Sequence, residues 1–355
     1  MKQNMNKQPI ETNTSRRNFI RNTGLTLGGI WLANDLFARD KGPVYGHNHV
    51  QYTLDTAWSK CSPQQYPVND CHEMVQDKKG RIFLLTNETK NNILIYNTRG
   101  QLLDAWGHAF PGAHGLTIHD ENGTEYLYIT DTVKHQVYKT TLTGEILLTI
   151  NAPIDSRLYA QAEKFVPTET TIAPNGDIFI ADGYGEQYIL HYNSKGELLN
   201  YFGGRGEGDE HLDNAHGILL DPRSKDGVLL ITDRTRNCFK QFSKEGKLLD
   251  IIHLPGACVC RPVVQGELLY AAVLRSPDMN KEGSGFVTIL DKDNKVVSNI
   301  GGSEPVYKDG QLQPMYQTEK IFVHPHDVCV DRDHNLYVAQ WASGKVYPYK
   351  LKRVS

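Results

Sequence analysis

Beyond residue 70 the chain alternates short apolar runs with polar, glycine-bearing turns. "GRIFLLTNETKNNILIYNTRGQLLDAWG" (80–107) holds three such runs, and "EYLYITDTVKHQVYKTTLTGEILLTI" (125–150) repeats the arrangement. "GDIFIADGYGEQYILHYNSKGELLNYFGG" (176–204) and "GVLLITDRTRNCFKQFSKEGKLLDIIHL" (227–254) follow it closely. A looser copy begins at "GELLYAAVLR" (266–275), and "HNLYVAQWASGKVYPYKL" (334–351) ends the series. Runs of this length, rich in Ile, Val, Tyr and Phe and parted by "RG", "TG", "KG" and "EG" turns, predict strands in antiparallel hairpins. The spacing, roughly 40 to 55 residues, is that of a four-stranded blade. The expected fold is all-β, a six-bladed β-propeller over residues 41–355. A two-sheet sandwich does not account for so regular a period. Closure hides the sheet edges, so either "HVQYTLDTAW" (49–58) or the C-terminal strand should complete a shared blade.

Within this repeat one phase carries unusual chemistry. "GAHGLTIHD" (112–120), "NAHGILLDP" (214–222) and "HPHDVCVDR" (324–332) place His114, His216 and His326 just before the first strand of their repeats. His72 takes that phase in "DCHEMVQD", and Thr168 takes it in "VPTETTIA". The first strand of a blade lines the central channel, so residues at one phase converge on one ring. Three neutral imidazoles brought together make a site for zinc or a similar divalent ion.

Composition narrows the reading. The chain has 355 residues, a formal net charge of −3, 22% charged and 39% hydrophobic residues, which suits a globular chain and argues against a general nucleic-acid binder. The six cysteines lack zinc-ribbon spacing. The segment "TSRRNFIRNTGLTLGGIWLA" joins Arg16, Arg17 and Phe19 to a glycine-rich apolar stretch. It resembles the bacterial twin-arginine export signal and is too short to span a bilayer comfortably. Residues 1–40 are therefore read as an export signal and linker, and the mature protein as periplasmic or extracellular, with no integral membrane span.

Taken together, "AHGLTI…LYITDTVKHQVYK", "IFIADGYG", "AHGILL…ITDRTRN" and "PHDVCV" resemble the peptidyl-α-hydroxyglycine α-amidating lyase family, from about Cys71 to Lys350. The resemblance implies a propeller of NHL-type repeats in which His114, His216 and His326 bind zinc. It also implies that Tyr184 of "DGYG" is a catalytic tyrosine and that Arg234 of "TDRT" binds substrate. Asp327 would be a ligand of a structural Ca2+, with the Met74 and Leu116 carbonyls as its partners. Three departures stand out. Asn87 occupies the place of a second active-site arginine. Gly185 replaces a disulfide-forming cysteine, and His72 has no counterpart. No copper monooxygenase accompanies the repeats.

A metal, a tyrosine and an arginine suit elimination beside a carboxylate. Arg275, after a fifth-blade strand, is a candidate to restore the missing positive charge, and His72 a candidate substrate contact. Export and the altered arginine set favour carbon–oxygen elimination on uronic-acid-containing oligosaccharides. The alternatives are amidating C–N cleavage and a non-enzymatic binding platform.

Overall fold

The computed structural model describes residues 42–156 and 158–354; the twin-arginine segment lies outside them. The described residues form six antiparallel sheets of four or five strands, with one small hairpin between Tyr307 and Leu312. Along the chain the sheets follow one another as the blades of a six-bladed propeller, each beginning with its innermost strand. Innermost strands are Cys71–Gln76 in blade 1, Ala113–Glu121 in blade 2, Glu169–Ile172 in blade 3 and Ala215–Leu220 in blade 4. In blade 5 this strand is broken into Cys258–Val259 and Val263–Gln265, and in blade 6 it is Pro325–Val330. No helix of the described residues is long and apolar enough to cross a membrane.

Both segments proposed for closure take part in it. The C-terminal strand Tyr349–Arg353 pairs with Leu336–Gln340, and Val50–Asp55 adds outside it, with Tyr52 opposite Arg353 and Leu54 opposite Leu351. Val44–His47 then pairs with Val50–Asp55 as the outermost strand.

The core lies between blades. Phe83, Leu85, Ile93 and Ile95 of blade 1 meet Leu116, Leu127 and Ile129 of blade 2. The other face of blade 1, with Met74, Ile82, Leu84 and Leu94, meets Tyr337 and Ala339 of blade 6. Similar apolar clusters fill the other four junctions, so the ring closes without a gap. Middle strands are thus covered on both faces, which is why "ILIY" (93–96) is apolar throughout rather than alternating. Each such side chain contributes about 1.5–3 kcal/mol when fully buried. Outermost strands have one wet face, and Leu103, Leu199 and Leu249 lie exposed there.

Candidate active site

Four of the innermost strands carry an extra residue at the histidine. Cys71 pairs with Thr86 and Glu73 with Leu85, which leaves His72 in a β-bulge. The register slips in the same way between Ala113 and Leu116, Ala215 and Ile218, and Pro325 and Asp327, bracketing His114, His216 and His326. In a regular strand consecutive side chains face opposite ways. A bulge re-aims one of them, so His72 with Glu73, and His326 with Asp327, both reach groups of other blades, while the residue after His114 and after His216 is a glycine that lets the next blade approach closely.

The result is two stacked layers. The upper layer is a ring of imidazoles. His114 and His326 have ring centroids 5.0 Å apart, and both His72 and His216 lie within 4.9 Å of each of them. Each histidine is buried. His114 Nδ1 lies 2.8 Å from the Thr168 carbonyl and His326 Nδ1 lies 3.0 Å from the His72 carbonyl. These nitrogens donate, so each Nε2 keeps its lone pair. His72 Nδ1 and both nitrogens of His216 have no hydrogen-bond partner. Burial lowers the pKa of all four, to about 3 for His72 and well below the ordinary value for the rest; Arg234 acts in the same direction on each, and neighbouring imidazoles do so on His114, His216 and His326. Buried neutral imidazoles with unpartnered nitrogens are costly unless something binds them, and their donor set suits zinc or a similar ion.

Ligand nitrogens of His72, His114 and His326 all lie within 4.8 Å of one another. His72, expected to contact substrate, is therefore placed with the metal-binding candidates. His216 belongs to the same ring through its contacts with His114 and His326.

Tyr184 stands over this ring. Its hydroxyl lies 3.1 Å from His114 Nε2, while about two-fifths of the residue faces solvent. Asp182 fixes the loop that carries it, accepting hydrogen bonds from the Val166 and Glu186 amides and from the Tyr159 hydroxyl. Burial outweighs those donors and pushes the Asp182 carboxyl up to about 7. Gly185 belongs to the same turn. A Cβ there would come within 2.1 Å of Asp182 Oδ1 and 2.3 Å of the Lys164 carbonyl, so this loop has no room for a cysteine. Every cysteine of the described residues is free.

Arg234 is 2% exposed, donating to the Val259 carbonyl at 3.3 Å and the Cys260 sulfur at 3.1 Å. Its charge reaches Tyr184: burial raises the phenol, and the guanidinium pulls it back. Arg275, by contrast, is turned to its own loop, where it binds the Met279 carbonyl and Glu282. The structure does not bring it to the ring.

A cavity of about 380 Å³ opens over His72, His114, Tyr184, Asn87 and Trp341. Asn87 bonds Asp70 and Asn69 rather than supplying charge. A larger cavity of about 460 Å³ lies on the far side of the channel, reaches Arg261, and has none of the four histidines in its wall.

The lower layer corrects one expectation. The Asp327 carboxylate and the Met74 and Leu116 carbonyls, assigned to Ca2+, are all taken by Arg261. Arg261 Nε and Nη2 bind Asp327 at 3.0 and 2.9 Å, Nη1 binds the Leu116 carbonyl at 2.8 Å, and Nη2 binds the Met74 carbonyl at 2.9 Å. A cation that the chain itself supplies fills the place between these ligands and repels a second one. Glu73 and Glu169 complete the cage, 3.3 and 3.7 Å from Arg261 Nη1. Burial raises both carboxyls against the pull of Arg261. Sequence reasoning missed Glu73, Glu169 and Arg261. Their signal was present: "HE", "TE", "CR" and "HD" each place a charge directly after the ring position.

No family model matches the chain. Peptidyl-α-hydroxyglycine α-amidating lyase 1 of Drosophila melanogaster is 27% identical over 278 residues, which is 70% of this chain and 47% of that protein. The chain resembles the amidating lyases. Amidating lyase 2 of the same fly is 35% identical over 114 residues, 31% of this chain and 27% of that one. The chain thus spans about half the length of the first relative and about a quarter of the second. Among solved structures, a streptogramin B lyase superposes with a TM-score of 0.55 at 14% identity, covering 85% of this chain and 98% of its own. At that identity the likeness concerns the propeller fold alone.

Proposed function

We propose that this chain is a metal-dependent lyase that splits the C–N bond of an N-acylated α-hydroxyglycine, releasing an amide and glyoxylate. The observation that carries this reading is Arg234. It is a buried guanidinium beside Tyr184 and the histidine ring, and no carboxylate among the described residues forms an ion pair with it. A buried cation lacking a counter-ion is poised for an anion. A carboxylate held there sets the adjacent carbon, with its hydroxyl and amide nitrogen, against Tyr184. The similarity to amidating lyases favours C–N cleavage over the uronate elimination expected from export and Asn87.

His72, His114, His216 and His326 are the residues that would hold the ion, which when bound supplies a positive field favouring ionisation of a nearby hydroxyl or phenol. Arg234 orients the carboxylate and steadies the charge that develops beside it. Tyr184 takes the proton of the substrate hydroxyl and returns one to the departing amide nitrogen. The hydroxyl oxygen becomes the aldehyde oxygen of glyoxylate as the C–N electron pair leaves with nitrogen. Trp341 and Val133 border the cavity and offer apolar surface to the acyl part.

The test is to incubate the purified protein with an N-acyl-α-hydroxyglycine and measure glyoxylate, beside a panel of uronate oligosaccharides read by absorbance of the unsaturated product. Glyoxylate release supports the reading. Unsaturated uronate without glyoxylate restores carbon–oxygen elimination. Export to the periplasm or exterior belongs to the same proposal. It rests on Arg16 and Arg17, and retention of an Arg16→Lys/Arg17→Lys variant in the cytoplasm is its expected check.

A further inference from the structure

The contacts of Arg261 follow the histidine ring residue by residue. Asp327 comes directly after His326 and Glu73 directly after His72. Met74 and Leu116, whose carbonyls Arg261 binds, lie two residues beyond His72 and His114. Glu169 follows Thr168, whose carbonyl orients His114. Even blade 4, which sends no polar group, is shaped to the same residue. A Cβ on Gly217, next to His216, would come 2.5 Å from Arg261 Cα.

We propose that Arg261 is the positioning residue of the histidine ring, a built-in cation that fixes how blades 1, 2, 3 and 6 approach one another. The proposal rests on the metal reading of that ring. One planar guanidinium holds a carboxylate and two carbonyls at 2.8 to 3.0 Å, in directions fixed by its fork. Those partners are one or two residues from three of the imidazoles, too short a tether to flex independently of them. Direct bonds between blades reinforce the arrangement. Asp327 Oδ2 accepts the Met74 amide at 2.8 Å, and Glu73 Oε2 accepts the Leu116 amide at 2.6 Å. Metal–ligand distances tolerate only about 0.2 Å of error, so a shift of one blade disturbs the ring. The other two carboxyls rely on the same cation: Arg261 Nη1 lies 3.3 and 3.7 Å from Glu73 and Glu169, and without it three buried carboxyls would face one another.

The experiment uses the whole mature chain and cobalt(II) alone as the probe. Arg261→Lys keeps the charge and loses the fork. Circular dichroism establishes that the variant is folded; titration then gives its cobalt affinity and visible spectrum. The expected result is affinity lower by on the order of tenfold or more, with a changed spectrum at saturation. A folded Arg261→Lys protein with wild-type affinity and spectrum overturns the proposal and reduces Arg261 to a packing tie. Should Arg261→Lys fail to fold, Asp327→Asn is read by the same criteria, since it keeps the size of the partner and weakens its grip. Wild-type protein that takes up neither cobalt nor zinc overturns the metal reading itself, and the proposal with it. Wild-type uptake with unaltered variants overturns the proposal alone.

Discussion

The hydroxyl of Tyr184 lies 3.1 Å from Nε2 of His114, whose other ring nitrogen lies 2.8 Å from the Thr168 carbonyl. The carbonyl can only accept, so Nδ1 carries the proton and Nε2 accepts from the phenol. That lone pair is also the one His114 would offer an ion, so metal binding would release the phenol and leave it beside the ion.

Tyr184→Phe should separate these two roles. Metal content should stay at the wild-type level, because Tyr184 supplies no ligand to the ring. Turnover should fall by on the order of 10²-fold or more. Wild-type turnover in the variant would dismiss Tyr184 as the proton carrier and favour a binding platform.

Arg234→Met should raise KM steeply, by roughly 10- to 10²-fold from the loss of charge-assisted hydrogen bonds. A substrate with its carboxylate capped as an amide should lose comparably in the wild type and little more in the variant. Full discrimination between the two substrates by Arg234→Met would place the carboxylate elsewhere.

Wild-type protein should melt at the same temperature in calcium-free and millimolar-calcium buffer, because Arg261 fills the cage. Arg261→Ala leaves three carboxyls and two carbonyls, an oxygen set that suits calcium. Its melting temperature should rise on calcium addition. A calcium response in the wild type of the same size would contradict the occupancy of the cage by Arg261.

Acid should destabilise the metal-stripped protein. His72 is held at about 3 by burial and then by Arg234, against an ordinary value of 6.5, and the other three ring histidines are lowered by burial as well. The unfolded chain therefore binds more protons than the folded one between about 3 and 6.5. Stability is fully present above that window and is lost as pH falls through it. The urea midpoint should be lower at pH 5 than at pH 7.5, measured by tyrosine and tryptophan fluorescence. The raised Asp182, Glu73 and Glu169 carboxyls bind protons on folding and oppose this trend, so equal midpoints would show that the four histidines do not outweigh them.

Asn87→Arg should lower KM for carboxylate substrates severalfold. Asn87 borders the cavity and now bonds Asp70 and Asn69, so an arginine there brings a positive charge to the wall. An unchanged KM would mean that the new side chain pairs with Asp70 instead of facing substrate.

The repeat, the blade count and the phase of the ring are legible along the chain. Strand runs such as "IFLLT" and "ILIY" declare themselves locally, because a blade strand buried on both faces must be apolar throughout. Closure by the N-terminal segment was legible as one of two options, and the structure uses both. His114, His216 and His326 could be aligned because a repeat returns equivalent residues to equivalent places.

What meets across the axis depends on how the blades close into a ring. The bulges at His72 and His326 turn two neighbouring side chains inward, where a period of two allows one, and those at His114 and His216 set a glycine against the next blade. Arg261 reaches the Met74 carbonyl across 187 residues of sequence, a contact set by the rotation of the blades and invisible to any local pattern. The same rotation leaves Arg275 tied to Glu282 and brings His72 among the metal-binding candidates. The repeat marks which positions reach the channel; closure of the ring fixes their partners, because only it sets the distances between blades.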